Sequence, residues 1–271
     1  MDAFLTHENI VSDYRNYLKS FLSIADERIQ DEVRIAFEGA GFIPEPLVQF
    51  NPAYKTDKSL MDLVSEGLVH NKLPRALGEY SLYNHQIEAL KLGLHNRGFV
   101  VTSGTGSGKS LTYLATIFNS IFNTGADKPK GVKAVLVYPM NALINSQEEE
   151  IKKYAANYGT DFPVSFAKYT GQEKGEDRER VRMDEPDIIL TNYMMLELIM
   201  TRASESWLRD SLSRSLKFLV FDELHTYKGR QGADVSMLIR RIKKQCKQSI
   251  ICIGTSATMA SKGTPEEKRQ T

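Results

Sequence analysis

The chain has 271 residues, 41% hydrophobic and 25% charged. That composition suits one or two soluble globular domains and excludes disorder and collagen-like repeats. The 35 Lys and Arg against 34 Asp and Glu leave a net charge of +1, which excludes a bulk polycationic nucleic-acid coat but not a local basic groove. Cys246 and Cys252 cannot build a disulfide framework and lack zinc-site spacing, so no zinc and a reducing, cytoplasmic setting are expected. The N-terminus lacks the apolar stretch of a signal peptide, and no apolar run approaches the ~20 residues that span a membrane.

Residues 1–79 read as a helical accessory region. Tyr14, Leu18, Phe21, Leu22 and Ile24 recur at helical spacing, and a second helix is predicted over 29–37, ending at Gly39–Gly41. Pro44, Pro46 and Pro52 then impose an extended stretch, and Leu60, Leu63, Val64 and Leu68 predict another short helix. From about Gly98 the pattern changes. Strands are predicted at 99–102, 134–138, 164–169, 188–191, 218–222 and 250–255, several of them apolar on both faces as buried parallel strands are. Helices are predicted at 109–122, 141–158, 193–201 and 235–247, and the polar stretch 171–187 reads as a solvated helix with flanking loops. Strand–helix alternation predicts an α/β, doubly wound parallel sheet, with ligands at the carboxyl ends of its strands.

Two motifs carry chemistry. In Ser103-Gly104-Thr105-Gly106-Ser107-Gly108-Lys109-Ser110 a strand ends, a glycine-rich loop follows and a helix begins. Such a loop wraps backbone N–H groups around phosphate oxygens at a helix N-terminus. Lys109 would reach the β- and γ-phosphates, and the Ser110 hydroxyl would ligate Mg²⁺. The generic pattern has glycine where Ser103 stands. Downstream, an apolar strand ends in Asp222-Glu223-Leu224-His225. Two carboxylates at a strand end are costly unless a cation or substrate uses them. Asp222 suits the Mg²⁺ shell, and Glu223 suits general-base orientation of the attacking water.

On these residues the chain resembles the first motor domain of superfamily 2 DExH-box helicases. Residues 103–110 look like motif I and Asp222–His225 like motif II, while Ser256-Ala257-Thr258 looks like motif III. Residues 138–143, containing Asn141, resemble motif Ia; Tyr169-Thr170-Gly171 resembles Ib; Leu190-Thr191-Asn192 resembles Ic; and 82–86, ending in Gln86, resembles the Q-motif region. The stretch DELHTYKGRQGADVSMLIRR resembles the Lhr-like and mitomycin-repair group, which includes large helicases of bacterial phage-defence systems.

The resemblance implies a RecA-like ATP-binding lobe over 80–271, with ATP and Mg²⁺ as cofactors. It implies single-stranded or duplex nucleic acid, DNA ahead of RNA, as partner. Gln86 would pair with the adenine edge. Tyr83 or Tyr80 would stack on the base or pack in the core, and no upstream aromatic of the DEAD-box kind is evident. His225, Ser256 and Thr258 would couple nucleotide state to strand grip. Asn141, Thr170, Gly171, Thr191 and Asn192 would meet phosphates without reading sequence. Arg240, Arg241, Lys243 and Lys244 read as a solvated helix face, and Gly229-Arg230-Gln231-Gly232 as a loop. A second lobe, with the arginine worth ~10³–10⁵ in rate, is expected from a longer protein, the chain stopping inside a helix that starts near Thr264. The chain alone is then expected to bind Mg·ATP, hydrolyse it slowly, unwind nothing and hold single strands weakly. Two alternatives are a non-hydrolysing regulatory module built on the same lobe and a P-loop small-molecule kinase.

Overall fold

The computed structural model describes residues 3–38, 54–104, 106–125, 129–173 and 175–257. The chain divides into two compact units, Met1–Ala53 and Tyr54–Thr271. The first holds α1 (Ala3–Ser20) and α2 (Glu27–Glu38); α2 covers the predicted 29–37, whereas α1 contains Tyr14 and Leu18 but ends before Phe21, Leu22 and Ile24. Asp26 caps α2 by accepting from the Arg28 N–H at 2.9 Å. The glycine and proline positions from 39 to 52, and the helix expected near Thr264, lie outside the described residues.

The second unit begins with β1 (Thr56–Ser59), α3 (Leu60–Ser65), α4 (Leu73–Leu77), β2 (Ser81–Tyr83) and α5 (Asn84–Leu94). It continues through β3 (Phe99–Thr102), α6 (Lys109–Thr124), β4 (Ala134–Tyr138), α7 (Asn141–Tyr158), β5 (Phe166–Lys168), α8 (Gly175–Asp184) and β6 (Ile188–Asn192). It closes with α9 (Tyr193–Thr201), α10 (Ser206–Ser215), β7 (Phe218–Phe221), α11 (Gly229–Gln245) and β8 (Ile251–Ser256). The six strands β3–β8 form one parallel sheet in the order β3-β8-β7-β4-β6-β5. This is the doubly wound sheet the alternation predicts.

Side chains alternate across each strand, so the sheet feeds two cores. Leu136, Tyr138, Leu190, Val220 and Ile253 pack with residues of α5, α6 and α7 on one face. Val135, Val137, Ile189, Leu219 and Phe221 pack with residues of α9, α10 and α11 on the other. Burial on both faces is why these strands read as continuous apolar runs. Helix α8 has no fully buried residue, as its charge density predicts.

Strand β5 is shorter than the predicted 164–169, helices α5 and α10 were not predicted, and two further differences bear on the architecture. The accessory region does not extend to residue 79. Leu60, Leu63, Leu73 and Leu77 are at most 2% exposed and belong to the same core as α5–α7. A capping box starts α3, with Asp62 N–H donating to Ser59 Oγ at 3.1 Å and Ser59 N–H to Asp62 Oδ2 at 2.8 Å. Strand β1 pairs with β2 across more than 20 residues, a contact no local pattern announces. The other difference is Gly229–Gly232, which is the first turn of α11 and not a loop. The buried positions of that helix, Val235, Leu238 and Ile242, begin only in its second turn, so its start carries no apolar period. A Cβ at Gly232 would stand 2.8 Å from the Tyr227 carbonyl oxygen, so glycine permits the close approach there.

A chain begun at Tyr54 is therefore expected to melt cooperatively within a few degrees of the full chain. One begun at Tyr80 loses four buried leucines, each worth ~2–5 kcal/mol on truncation, and should not fold. Circular-dichroism melts compare the two, and equal midpoints would contradict the assignment.

Candidate active site

Parallel register builds the site. Thr102 of β3 pairs with Ser256 of β8, and Phe221 of β7 with Gly254 of β8. Three strands therefore end side by side, with β8 in the middle. The chain leaving β3 enters the glycine loop, and the chain leaving β7 enters Asp222-Glu223.

The loop takes its shape from Gly106 and Gly108, at φ +76° and +69°. Both lie in the left-handed region that glycine adopts freely. Gly108 also caps α6, and a Cβ there would stand 2.4 Å from Gln86 Nε2. Ser103 tolerates the position usually given to glycine, because its hydroxyl meets that of Ser107 across the loop. The start of α5 braces the loop from the other side. His85 Nε2 lies 3.0 Å from the Ser107 carbonyl oxygen, and Gln86 Nε2 donates to the Gly108 carbonyl oxygen at 3.1 Å. Gln86 Oε1 accepts from the Tyr83 N–H at 2.9 Å, so each end of this buried amide is already used once. An adenine edge would have to take the remaining N–H and lone pair. Lys109 is 9% exposed, and its ammonium donates to the carbonyl oxygens of Ser103 and Gly104 at 3.0 and 3.1 Å. Ser110 is half-buried in the first turn of α6. Thr105 lies outside the described residues.

On the facing side, the Asp222 N–H donates to Val137 O at 2.9 Å and its carboxylate accepts from Thr255 Oγ1. Burial pushes the Asp222 carboxyl above its ordinary value, with Glu223 adding to the rise while Thr255 and Lys109 oppose it. Glu223 sits at φ +51°, ψ +52°, a left-handed conformation that costs an L-residue ~1–2 kcal/mol. Its N–H donates to Thr255 Oγ1 at 3.1 Å, which holds the turn. Glu223 Oε2 is buried without a hydrogen-bond partner. His225 Nδ1 lies 3.2 Å from it, short of hydrogen-bond alignment, and 3.3 Å from Ser256 Oγ. The expected pairing of His225 with Ser256 is thus formed, whereas Thr258 lies outside the described residues.

Between the two sides lies a cavity of about 400 Å³, lined by residues 106–110 with Asp222 and Glu223. No cluster of three or more His, Cys, Asp or Glu suited to a metal occurs among the described residues. The donor set fits a hard cation of another kind. Mg²⁺ is held by one or two protein oxygens plus phosphates and water, and Ser110 with Asp222 offers that. The orphaned Glu223 oxygen likewise fits a polar occupant, because a buried acceptor without a donor is costly.

Beside the loop stands Tyr54, 40% exposed, with its ring centroid 5.3 Å from Tyr83 and 5.4 Å from His85. Tyr83 in turn stacks on His85 at 5.6 Å. Tyr54 is an upstream aromatic, which the sequence reading did not find.

The expected strand-binding residues gather at the ends of β4, β5 and β6. Asn192 caps α9 by accepting from the Met195 N–H at 2.8 Å, and its Nδ2 donates to Asn141 Oδ1 at 3.0 Å. Thr191 departs from expectation. It is fully buried and its hydroxyl donates to the Tyr169 carbonyl oxygen at 2.6 Å, so it orders the β5 end and has no hydroxyl to offer a phosphate. Thr170 and Gly171 are engaged by the Glu173 carboxylate. The basic residues 240, 241, 243 and 244 are exposed, as expected, with Arg241 paired to Glu197.

Residues 83–265 match the DEAD/DEAH box helicase family. The chain belongs to that family. It is 33% identical to the uncharacterized ATP-dependent helicase MJ1574 of Methanocaldococcus jannaschii, over 70% of this chain and 27% of that protein. The Druantia protein DruE of Escherichia coli is 24% identical over 94% of this chain and 20% of its own length. Among solved structures, the helicase MrfA bound to DNA and AMPPNP superposes with a TM-score of 0.61 at 27% identity, covering 78% of this chain and 32% of that one. The resemblance to the Lhr-like and mitomycin-repair group is borne out. The chain spans about a quarter or less of the length of these curated relatives.

Besides Tyr54, sequence reasoning missed Thr255. It follows Ile251 and Ile253 on one face of β8, and a hydroxyl ending an otherwise apolar face was the available signal. Replacing Thr255 with Val leaves the Glu223 N–H and the Asp222 carboxylate without their shared partner. A loss of about 1–3 kcal/mol is expected in denaturant unfolding, with Thr255→Ser keeping most of the stability. An unchanged midpoint for Thr255→Val would contradict this reading.

Proposed function

We propose that this chain is the nucleotide-binding motor lobe of a helicase or translocase that acts on nucleic acid, DNA foremost, by hydrolysing Mg·ATP together with a second RecA-like lobe. The observation that carries the reading is the cavity in which Lys109 and Ser110 face Asp222 and Glu223. The DNA and nucleotide analogue bound to MrfA support the choice of ligands.

Each residue has a task in this reading. Backbone N–H groups of 104–108 and the α6 N-terminus receive the phosphates, with Thr105 part of that loop. Lys109 exchanges two carbonyl partners for phosphate oxygens, a stronger charge-assisted contact. Ser110 and Asp222 hold Mg²⁺, which neutralises charge developing on the phosphates. Glu223 orients the attacking water and takes its proton. His225 and Ser256 report the state of this centre to β8. Gln86 offers its remaining N–H and lone pair to adenine, and Tyr54 offers a ring face. Asn141, Asn192, Thr170 and Gly171 supply sequence-independent contacts to a strand.

Titration with a fluorescent ATP analogue and Mg²⁺ should show saturable binding that weakens at least ~10-fold in Lys109→Ala, consistent with loss of a charge-assisted contact. Equal binding by the variant would contradict the site. A pH series adds a sign. Asp222 must be deprotonated to take the metal, and its carboxyl lies above the ordinary value. The metal-dependent part of binding should therefore fade, as pH falls, at a higher pH than an unperturbed aspartate would give. Asp222→Asn should remove both the metal dependence and that pH dependence.

A further inference from the structure

The strand-binding reading leaves one residue unexplained. Glu173 Oε2 accepts from the Thr170 N–H at 2.8 Å and the Gly171 N–H at 2.9 Å, and Oε1 accepts from the Thr170 hydroxyl at 2.8 Å. Two successive backbone N–H groups converging on one oxygen, with Gly171 at φ +92°, form an anion-binding concavity. The cradle has donors to spare. A Cβ at Gly171 would lie 3.6 Å from an Arg178 guanidinium nitrogen, and Arg178 Nε is buried without a hydrogen-bond partner. These are the donors that Thr170 and Gly171 would present to a nucleic-acid backbone.

Resting on that reading, we propose that Glu173 is an internal substitute for a phosphodiester: its carboxylate closes the Thr170–Gly171 cradle and is displaced when a single strand enters. A carboxylate and a phosphodiester are alike where it matters, since each spreads one negative charge over two free oxygens. The Glu173 carboxyl is held below its ordinary value; burial acts to raise it, but the bonds from Thr170, its own backbone N–H and Gly171 together outweigh that, so the substitute is charged. The adjoining cavity of about 560 Å³ carries four carboxylates, of Glu148, Glu173, Asp177 and Asp184, against the two cations Lys168 and Arg180. Glu148 pairs with Lys168 and Asp177 with Arg180, which leaves Glu173 and Asp184 as the excess charge, so a strand phosphate meets less opposition once Glu173 gives way. It can do so cheaply. The Glu173 side chain leaves by rotating about its own bonds, and neighbouring α8 has no fully buried residue, only Val181 packing against the core, so its departure unpacks little. The device sets a threshold. A lone anion gains only what Glu173 already supplies, whereas a strand that also reaches Asn141 and Asn192 gains enough to expel it.

The test is fluorescence anisotropy of labelled oligo(dT) and oligo(rU) with the full chain and its variants. Glu173→Gln keeps the size and loses the charge, and Glu173→Ala removes the group. Both should bind at least one oligonucleotide roughly fivefold or more tighter than wild type, the scale of a charged hydrogen-bond partner removed from competition. Asp177→Asn, which removes an equal charge from the same cavity without touching the cradle, should gain less than about twofold, as an exposed charge does. Adding Thr170→Val to Glu173→Gln should reduce the gain, because the hydroxyl is lost while the two backbone N–H groups stay. Equal or weaker binding by both Glu173 variants, a gain as large from Asp177→Asn, or a gain undiminished by Thr170→Val would each overturn the proposal. If no variant binds either strand while the nucleotide titration succeeds, both this inference and the strand-binding role fall and the nucleotide site stands.

Discussion

The Thr255 hydroxyl, placed at the end of the central strand β8, is the contact on which the rest of the site depends. It donates to the Asp222 carboxylate and accepts from the Glu223 N–H, so one side chain fixes both acids. It can do this only because β3, β8 and β7 run parallel and end together, which brings the glycine loop and the acid pair to opposite sides of one residue. A buried, raised carboxyl beside a second acid is electrostatically unfavourable by itself. So is a glutamate at positive φ. Both costs are met by a sheet whose two faces are closed by apolar side chains, and both fall where a cation and phosphates would offset them.

Much of this was legible in the sequence, for physical reasons. Strands β3 and β4 match expectation to the residue; β4 is buried on both faces and so is apolar throughout, whereas β3 is an edge strand whose Val100 is exposed. The glycine loop was legible because left-handed positions at 106 and 108 demand glycine. The acid pair stood out against the apolar run before it. What stayed hidden depends on contacts distant in sequence. Leu60 and Leu73 look the same whether they pack on an accessory region or on α6, and only their place in the core that α6 shares shows which. Thr191 has the composition of a phosphate donor, yet its hydroxyl is spent on Tyr169. Gly229 and Gly232 read as a loop because glycine is silent about period. Tyr54 and Glu173 sit in segments with no pattern of their own.

The two ends of the lobe share a logic. At the glycine loop, the cation proposed to meet phosphate rests on carbonyl oxygens of its own backbone. At the β5 end, backbone donors suited to phosphate rest on a carboxylate from the same loop. In each case a charged group is kept satisfied by a local partner weaker than, or equal to, the ligand. That keeps both sites ordered and makes entry of the ligand an exchange of partners, with little reorganisation of the core. The run of contacts from Glu223 through His225 to Ser256 connects the acid pair to the strand that also flanks the loop.

The central claim is that the cavity between Lys109 and Asp222 holds the phosphates and metal of a nucleoside triphosphate. A crystal structure of the chain with a non-hydrolysable ATP analogue and Mg²⁺ tests it most directly. The account predicts Lys109 Nζ moved from the Ser103 and Gly104 carbonyl oxygens onto phosphate oxygens, with the metal at Ser110 and Asp222. An analogue bound elsewhere, with Lys109 still on those two carbonyl oxygens, would contradict it.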